Sequence, residues 1–149
     1  MRYRRVQSAL AVLATSLVSA CSDVASVPPR FSATYVLERV NGRPLPAVAT
    51  EGDAFRVTMI ADTLVFHPDG EVERRSTVHY VGILLTTADT IVHRSVDLGY
   101  ETDGSRLTIL INCPANANCV GPSTGHINTR RIDLVDVGMG NAALHYTPR

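Results

Sequence analysis

Residues 63–75 read TLVFHPDGEVERR, and this stretch sets the fold class. Leu64 and Phe66 alternate with Thr63 and Val65, which puts two apolar side chains on one face of an extended segment. Pro68-Asp69-Gly70 then forces a reversal. Proline presets its own φ, the Asp side chain caps the backbone two residues on, and glycine takes the positive φ that a tight hairpin needs. Residues 71–81 run back from the turn. The same arrangement recurs at GYETDGSRLTILI, residues 99–111, where Asp103-Gly104 separates two extended runs and Leu107, Ile109 and Ile111 alternate cleanly. Working outward, strands are predicted at 32–40, 55–60, 63–67, 71–81, 90–100, about 107–111, 127–137 and 142–147. Asn41-Gly42, Ala88-Asp89 and Gly138-Met-Gly-Asn141 are read as turns. The two prolines of Arg43-Pro-Leu-Pro-Ala47 lack an amide hydrogen, so that stretch supplies no regular ladder. No window of a dozen residues carries a 3.6-residue apolar stripe. About eight sequential strands with short turns predict an all-β, single antiparallel up-and-down β-barrel, because closure removes exposed edges. A β-sandwich is the alternative.

The amino end is of another kind. Arg2, Arg4 and Arg5 precede a mostly apolar run over residues 6–18, and Ser19 and Ala20 are small. Basic front, short apolar stretch and small residues before a cleavage point are the order of an export signal. The run of about 13 residues is shorter than the roughly 20 a membrane-spanning helix needs. Val18-Ser19-Ala20-Cys21 resembles the lipobox of bacterial lipoproteins. That resemblance implies removal of residues 1–20, a diacylglyceryl group on Cys21 and acylation of the new amino end. Two or more chains give stable anchoring, at about 0.8 kcal/mol for each buried methylene. A plain secretory signal with a coincidental cysteine is the competing reading. Ser22, rather than Asp, after the anchor is similar to the outer-membrane sorting pattern of enterobacterial lipoproteins, which implies a cell-envelope protein facing the periplasm.

The organisation predicted is therefore a signal over 1–20, a lipidated tether over 21–30 (CSDVASVPPR) and one barrel domain over 31–149. The whole chain carries 14 basic and 14 acidic residues. Losing three arginines with the signal leaves the mature chain with a formal charge of −3. Such a balance gives no concentrated basic patch and so no case for nucleic acid. All the basic residues are arginine, and no function is attached to that.

The chain from Thr34 onward also resembles small bacterial lipoproteins with a lipocalin-like domain. The residues that carry this are YVLERVNGRPLP (35–46), LVFHPDG (64–70), GYETDGSRLTI (99–109) and the terminal YTPR (146–149), in that order. The resemblance implies the barrel shape. Lipocalins carry a Gly-x-Trp near the amino end, and this chain has no Trp, so a retinoid-type ligand is not implied.

An exported chain reaches an oxidising compartment, where Cys113 and Cys119, enclosing PANAN, are read as a structural disulfide. With Cys21 assigned to lipid, no odd thiol remains. Free thiols or a redox pair are the alternatives; a redox motif has two intervening residues, and here there are five. Metal binding wants more ligands at matched spacing. The histidines His67, His79, His93, His126 and His145 show no such spacing, and only a barrel bringing His79, His93 and His145 together would make a site. No metal or cofactor is therefore expected. Gly121-Pro-Ser-Thr-Gly125 is read as a flexible loop, since Ser123 does not sit between a strand and a helix as a nucleophile elbow requires. Glu71 and Glu73 share a strand face beside a turn and read as a solvated pair, without the cleft a glycosidase needs. Asp133 and Asp136 do not share a face. No catalytic residues and no enzyme activity are expected. Two function classes remain. One is a lipid-anchored binding module holding a small apolar ligand, with Tyr35, Leu37, Phe66, Tyr80 and Tyr100 as candidate barrel lining or ordinary core. The other is a structural or protein-interaction module of the envelope.

Overall fold

The computed structural model describes residues 31–82, 89–114, 117 and 119–149. The export signal, Cys21, the tether and the turn at Ala88 lie outside the described residues. Strand β1 (Ala33–Val40) turns at Asn41-Gly42, both with positive φ, into a two-residue strand β2 (Arg43–Pro44) and then β3 (Ala47–Glu51). A meander follows: β4 (Phe55–Phe66), β5 (Glu71–Gly82), β6 (Asp89–Asp103), β7 (Arg106–Leu110), β8 (Ser123–Asn128), β9 (Arg131–Asp136) and β10 (Ala142–Pro148). A single 3-10 turn, Val137–Met139, joins the last two.

Every strand from β4 to β10 pairs antiparallel with the next. β1 then lies between β10 and β4 and closes the ring, with Ala33 opposite Phe66 and Val36 opposite Thr63. The result is an eight-stranded antiparallel barrel of β1 and β4–β10. β2 and β3 are wedges on the seam: β2 pairs with Arg39 and Val40, and β3 with Arg56–Met59. The proline-rich stretch thus contributes one two-residue bridge, as its missing amide hydrogens dictate.

The expected number of strands is met through two compensating differences. The runs at 55–60 and 63–67 are one strand, β4, interrupted by a register shift between Met59 and Ala61. Val57 and Met59 face inward before it, and Asp62, Leu64 and Phe66 after it. An extra residue reverses the parity of everything that follows, which is why the alternation reads as two pieces. Conversely, the run at 127–137 is two strands. The side chain of Asn128 accepts hydrogen bonds from the backbone N–H of Arg130 at 2.8 Å and Arg131 at 2.9 Å, making a turn without Gly or Pro. The loop expected at 121–125 is ordered from Ser123 as the start of β8, and Ser123 is buried.

The barrel has two unlike ends. At one lie the turns 67–70, 103–106 and 128–131, and this end is filled by aromatic rings. Phe66 stacks on Phe31 with centroids 4.9 Å apart and meets Tyr100 edge-on at 4.9 Å and Tyr35 at 5.9 Å. Their polar tips are satisfied: the Tyr35 hydroxyl donates to the Asn128 carbonyl at 3.1 Å, and the Tyr100 hydroxyl to the His67 carbonyl at 3.0 Å. At the other end the wall is incomplete. β6 pairs with β5 from Asp89 to Gly99 but with β7 only from Gly99 to Asp103. Over residues 89–98 β6 therefore has a ladder partner on one side alone.

Candidate functional site

A buried ionic cluster stands between these two ends. Asp62 faces inward only because the β4 bulge reverses the parity of that strand. Arg74 shares the inner face of β5 with Val72 and Val78; Asp136 ends β9, and Tyr146 lies on β10. One carboxylate oxygen of Asp62, Oδ2, accepts from Arg74 Nε at 2.8 Å and from the Tyr146 hydroxyl at 2.9 Å, with Arg74 Nη2 also 2.6 Å away. Arg74 Nη1 donates to Asp136 Oδ2 at 2.5 Å. Asp62 and Tyr146 are wholly buried.

The electrostatics follow from two acids sharing one cation away from water. Burial raises the Asp62 pKa against the opposing pull of Arg74 and Tyr146, and the nearby Asp136 adds to the rise. Burial works against the Arg74 charge too, but the facing acids outweigh it and hold the guanidinium protonated. Burial, then the Asp62 charge, pushes Tyr146 well above the ordinary phenol range. Asp62 Oδ1 is buried without a hydrogen-bond partner among the described residues.

Beyond the cluster the barrel opens. A cleft of about 270 Å³ runs from Arg74 and Asp136 past Ser123 to Val96, Leu98, Ile109, Ile111 and Val120. It occupies the gap where β6 and β7 diverge. A neighbouring cavity of about 320 Å³ is lined by Phe55, Val57, Val78 and Tyr80. The two share Ser76, Arg94, Gly138 and Met139. Val96 is 46% and Val120 52% exposed, although Val96 lies on the inner face of its strand. Arg94, opposite Ser76 in register, borders both cavities and has no ion-pair or hydrogen-bond partner among the described residues.

Of the five candidate lining residues, Tyr35, Leu37, Phe66 and Tyr100 are buried and fill the barrel, and they line neither of these cavities. Tyr80 borders one. It is 38% exposed and stacks on Phe55 with centroids 5.9 Å apart. Cys113 and Cys119 are joined as a disulfide with Cα atoms 5.9 Å apart, which ties the loop carrying Ile111 and Val120.

The remaining candidates stay on the outside. Thr77 Oγ1 and His93 Nδ1 are 3.0 Å apart, His79 Nε2 meets Asp89 Oδ1, and His145 Nδ1 lies 2.6 Å from Asp133 Oδ1. His79 and His93 are on β5 and β6 and His145 on β10, so the three do not converge. Among the described residues no three His, Cys, Asp or Glu side chains could hold a metal ion. Glu73 is held by Arg75 at 2.7 and 2.6 Å and by Ser95 at 2.6 Å, and those bonds, Arg75's first, lower its pKa to about 2. Glu71 is exposed and not part of that set. A surface concavity of about 610 Å³ is an outer groove at Gly125, His126, Asp133 and His145.

Asp62, Arg74, Arg94, Asp136 and Tyr146 were not among the sequence candidates. Arg74 hides in EVERR, which reads as a solvated face. Asp62 carried a usable signal, since it keeps the parity of Leu64 and Phe66 and so must enter the core with them. No family model, no curated protein and no solved structure matches this chain.

Proposed function

We propose that this chain is a non-enzymatic, lipid-anchored protein of the bacterial cell envelope, a small lipoprotein with a lipocalin-like domain, that holds a small apolar ligand in its barrel. One observation carries the binding half of this reading. The barrel is packed with aromatic rings at one end and open at the other, where apolar side chains line cavities of about 270 and 320 Å³. Those volumes lie near the lower end of the range for small-molecule sites. The anchoring half rests on LVSAC, residues 17–21, and the apolar run before it. Mass analysis of protein extracted from membranes tests it: the chain should lack residues 1–20 and carry a lipid adduct on Cys21. Native mass spectrometry of an exported Cys21→Ser variant tests the other half, since copurified apolar ligand is expected and a uniformly empty barrel that takes up none would sink it. A second reading, an envelope interaction module, is favoured by the unpaired edge of β6 over residues 89–98, which offers a ladder to a partner's strand.

A further inference from the structure

We infer that the ligand is an anionic amphiphile of small-molecule size, its negative head paired with Arg94 and its apolar chain laid along Val96, Leu98, Ile109, Ile111 and Val120. This rests on the binding reading above and names the chemical class of that same site. Most charges of the cleft are already used. Arg74 is held by Asp62 and Asp136, and both carboxylates are in turn held by Arg74. A cationic ligand would find no free acid there. Arg94 is different: it lies between the two cavities, on the inner side of β6, with no partner among the described residues. The acids of this hairpin sit on the opposite face, where Glu73 is bound to Arg75 and Ser95, and Asp89 to His79. They cannot turn inward without reversing the pleat.

The apolar side of the cleft argues against a small polar anion. Val96 and Val120 are each about half exposed and face the same cleft, an arrangement that leaves apolar surface in water unless something covers it. An acyl chain covers it and takes that surface out of water. Ser76 and Ser123 border the same space and supply hydroxyl donors beside the head group. The cleft opens sideways, between the free edge of β6 and the disulfide-tied loop, so a chain enters through the wall rather than along the barrel axis.

The test compares dodecanoate with dodecanol, both below their aggregation limits, by isothermal titration against the exported chain carrying Cys21→Ser. Dodecanoate should bind up to about fivefold more tightly than the uncharged alcohol, since Arg94 is exposed and an exposed ion pair contributes modestly. Its affinity should fall with added salt while that of the alcohol does not. Arg94→Gln should abolish the preference, with an unchanged urea midpoint by tyrosine fluorescence showing that the variant is folded; Arg94→Lys should keep most of it. Equal affinities in the wild-type chain, or a preference that survives Arg94→Gln, overturn the anion assignment and leave the apolar-ligand reading standing. Binding of neither compound overturns both.

Discussion

Replacing Arg74 by methionine would leave Asp62 and Asp136 facing each other in the barrel with no cation between them. Asp62 is wholly buried and Asp136 nearly so. Removing one partner of such a set costs about 3–5 kcal/mol, because the remaining charges stay desolvated. Against a total stability of roughly 5–15 kcal/mol, that is a large share. In a domain of roughly 120 residues it corresponds to a fall in Tm of about 10–20 °C. The loss should also depend on pH. Without Arg74 the burial that raises the Asp62 pKa meets less opposition, so the folded state binds more protons than the unfolded one between the ordinary carboxylate pKa and the raised value. Stability of the variant then rises as pH falls through that window. Asp62 in the native barrel already leans this way, since burial raises its pKa. Urea unfolding followed by tyrosine fluorescence at pH 7 and pH 4 measures both quantities. The expected result is a deficit at pH 7 that shrinks markedly at pH 4. The triple variant Asp62→Asn, Arg74→Met, Asp136→Asn should recover much of the loss, because neutral groups need no counter-charge. A deficit under about 1 kcal/mol, or one equal at both pH values, would refute the view that the cluster holds itself together by mutual neutralisation.

Three further outcomes follow from single contacts. A Cβ added to Gly125 would lie 1.9 Å from the Asp133 carbonyl oxygen and 2.8 Å from Leu134 Cα. Gly125→Ala should therefore force β8 off β9 and lower urea stability by about 3 kcal/mol or prevent folding, whereas Gly121→Ala, whose nearest neighbour is at 3.9 Å, should be close to neutral. The Glu73 carboxyl should titrate near pH 2 by side-chain NMR, with its contribution to stability complete above the ordinary value of 4.5 and lost as pH falls toward 2; Arg75→Gln should move that midpoint upward. The paired change Cys113→Ser and Cys119→Ser, across a sequence separation of 6, should cost roughly 2 kcal/mol by loop-closure entropy and weaken any ligand held against Ile111 and Val120.

The barrel was legible because its turns state their chemistry. Pro68-Asp69-Gly70 and Asp103-Gly104 each name a hairpin, and Leu107 and Ile109 alternate as a half-buried strand must. What the sequence concealed lies where the period breaks. The bulge at Ile60 splits one strand into two apparent ones, and Asn128 makes a turn with a side chain in place of Gly or Pro. The same breaks hid the site. Asp62 turns inward through that bulge, and Asp136 is delivered to Arg74 by the separate strand that Asn128 begins. Arg74 and Arg94 alternate with polar residues on a hairpin whose other face is solvated, so nothing local distinguishes an inward arginine from an outward one. Only the pairing of β5 with β6, and the early divergence of β7, decides that Arg94 borders a cleft.

The two faces of that hairpin also separate the competing functions. An interaction module would meet its partner with the outer face or the free edge of β6. On the outer face several side chains are already engaged within the chain, Glu73 with Arg75 and Ser95, His93 with Thr77 and Asp89 with His79, while Glu71 and Asp97 are exposed. A partner there would have to displace contacts that exist. On the inner face, one residue away along the same strand, Arg94 has no partner among the described residues and Val96 is half exposed. The cluster of Asp62, Arg74, Asp136 and Tyr146 closes the cleft from below, and replacing such a buried set with apolar side chains of similar volume is often neutral or stabilising. A barrel selected only for rigidity would gain by filling its interior to the top with residues of the Phe66 and Leu64 kind. This one keeps Asp62, Arg74 and Asp136 inside and leaves cavities beside them between β6 and β7, and the capacity left over to bind something lies inside the wall.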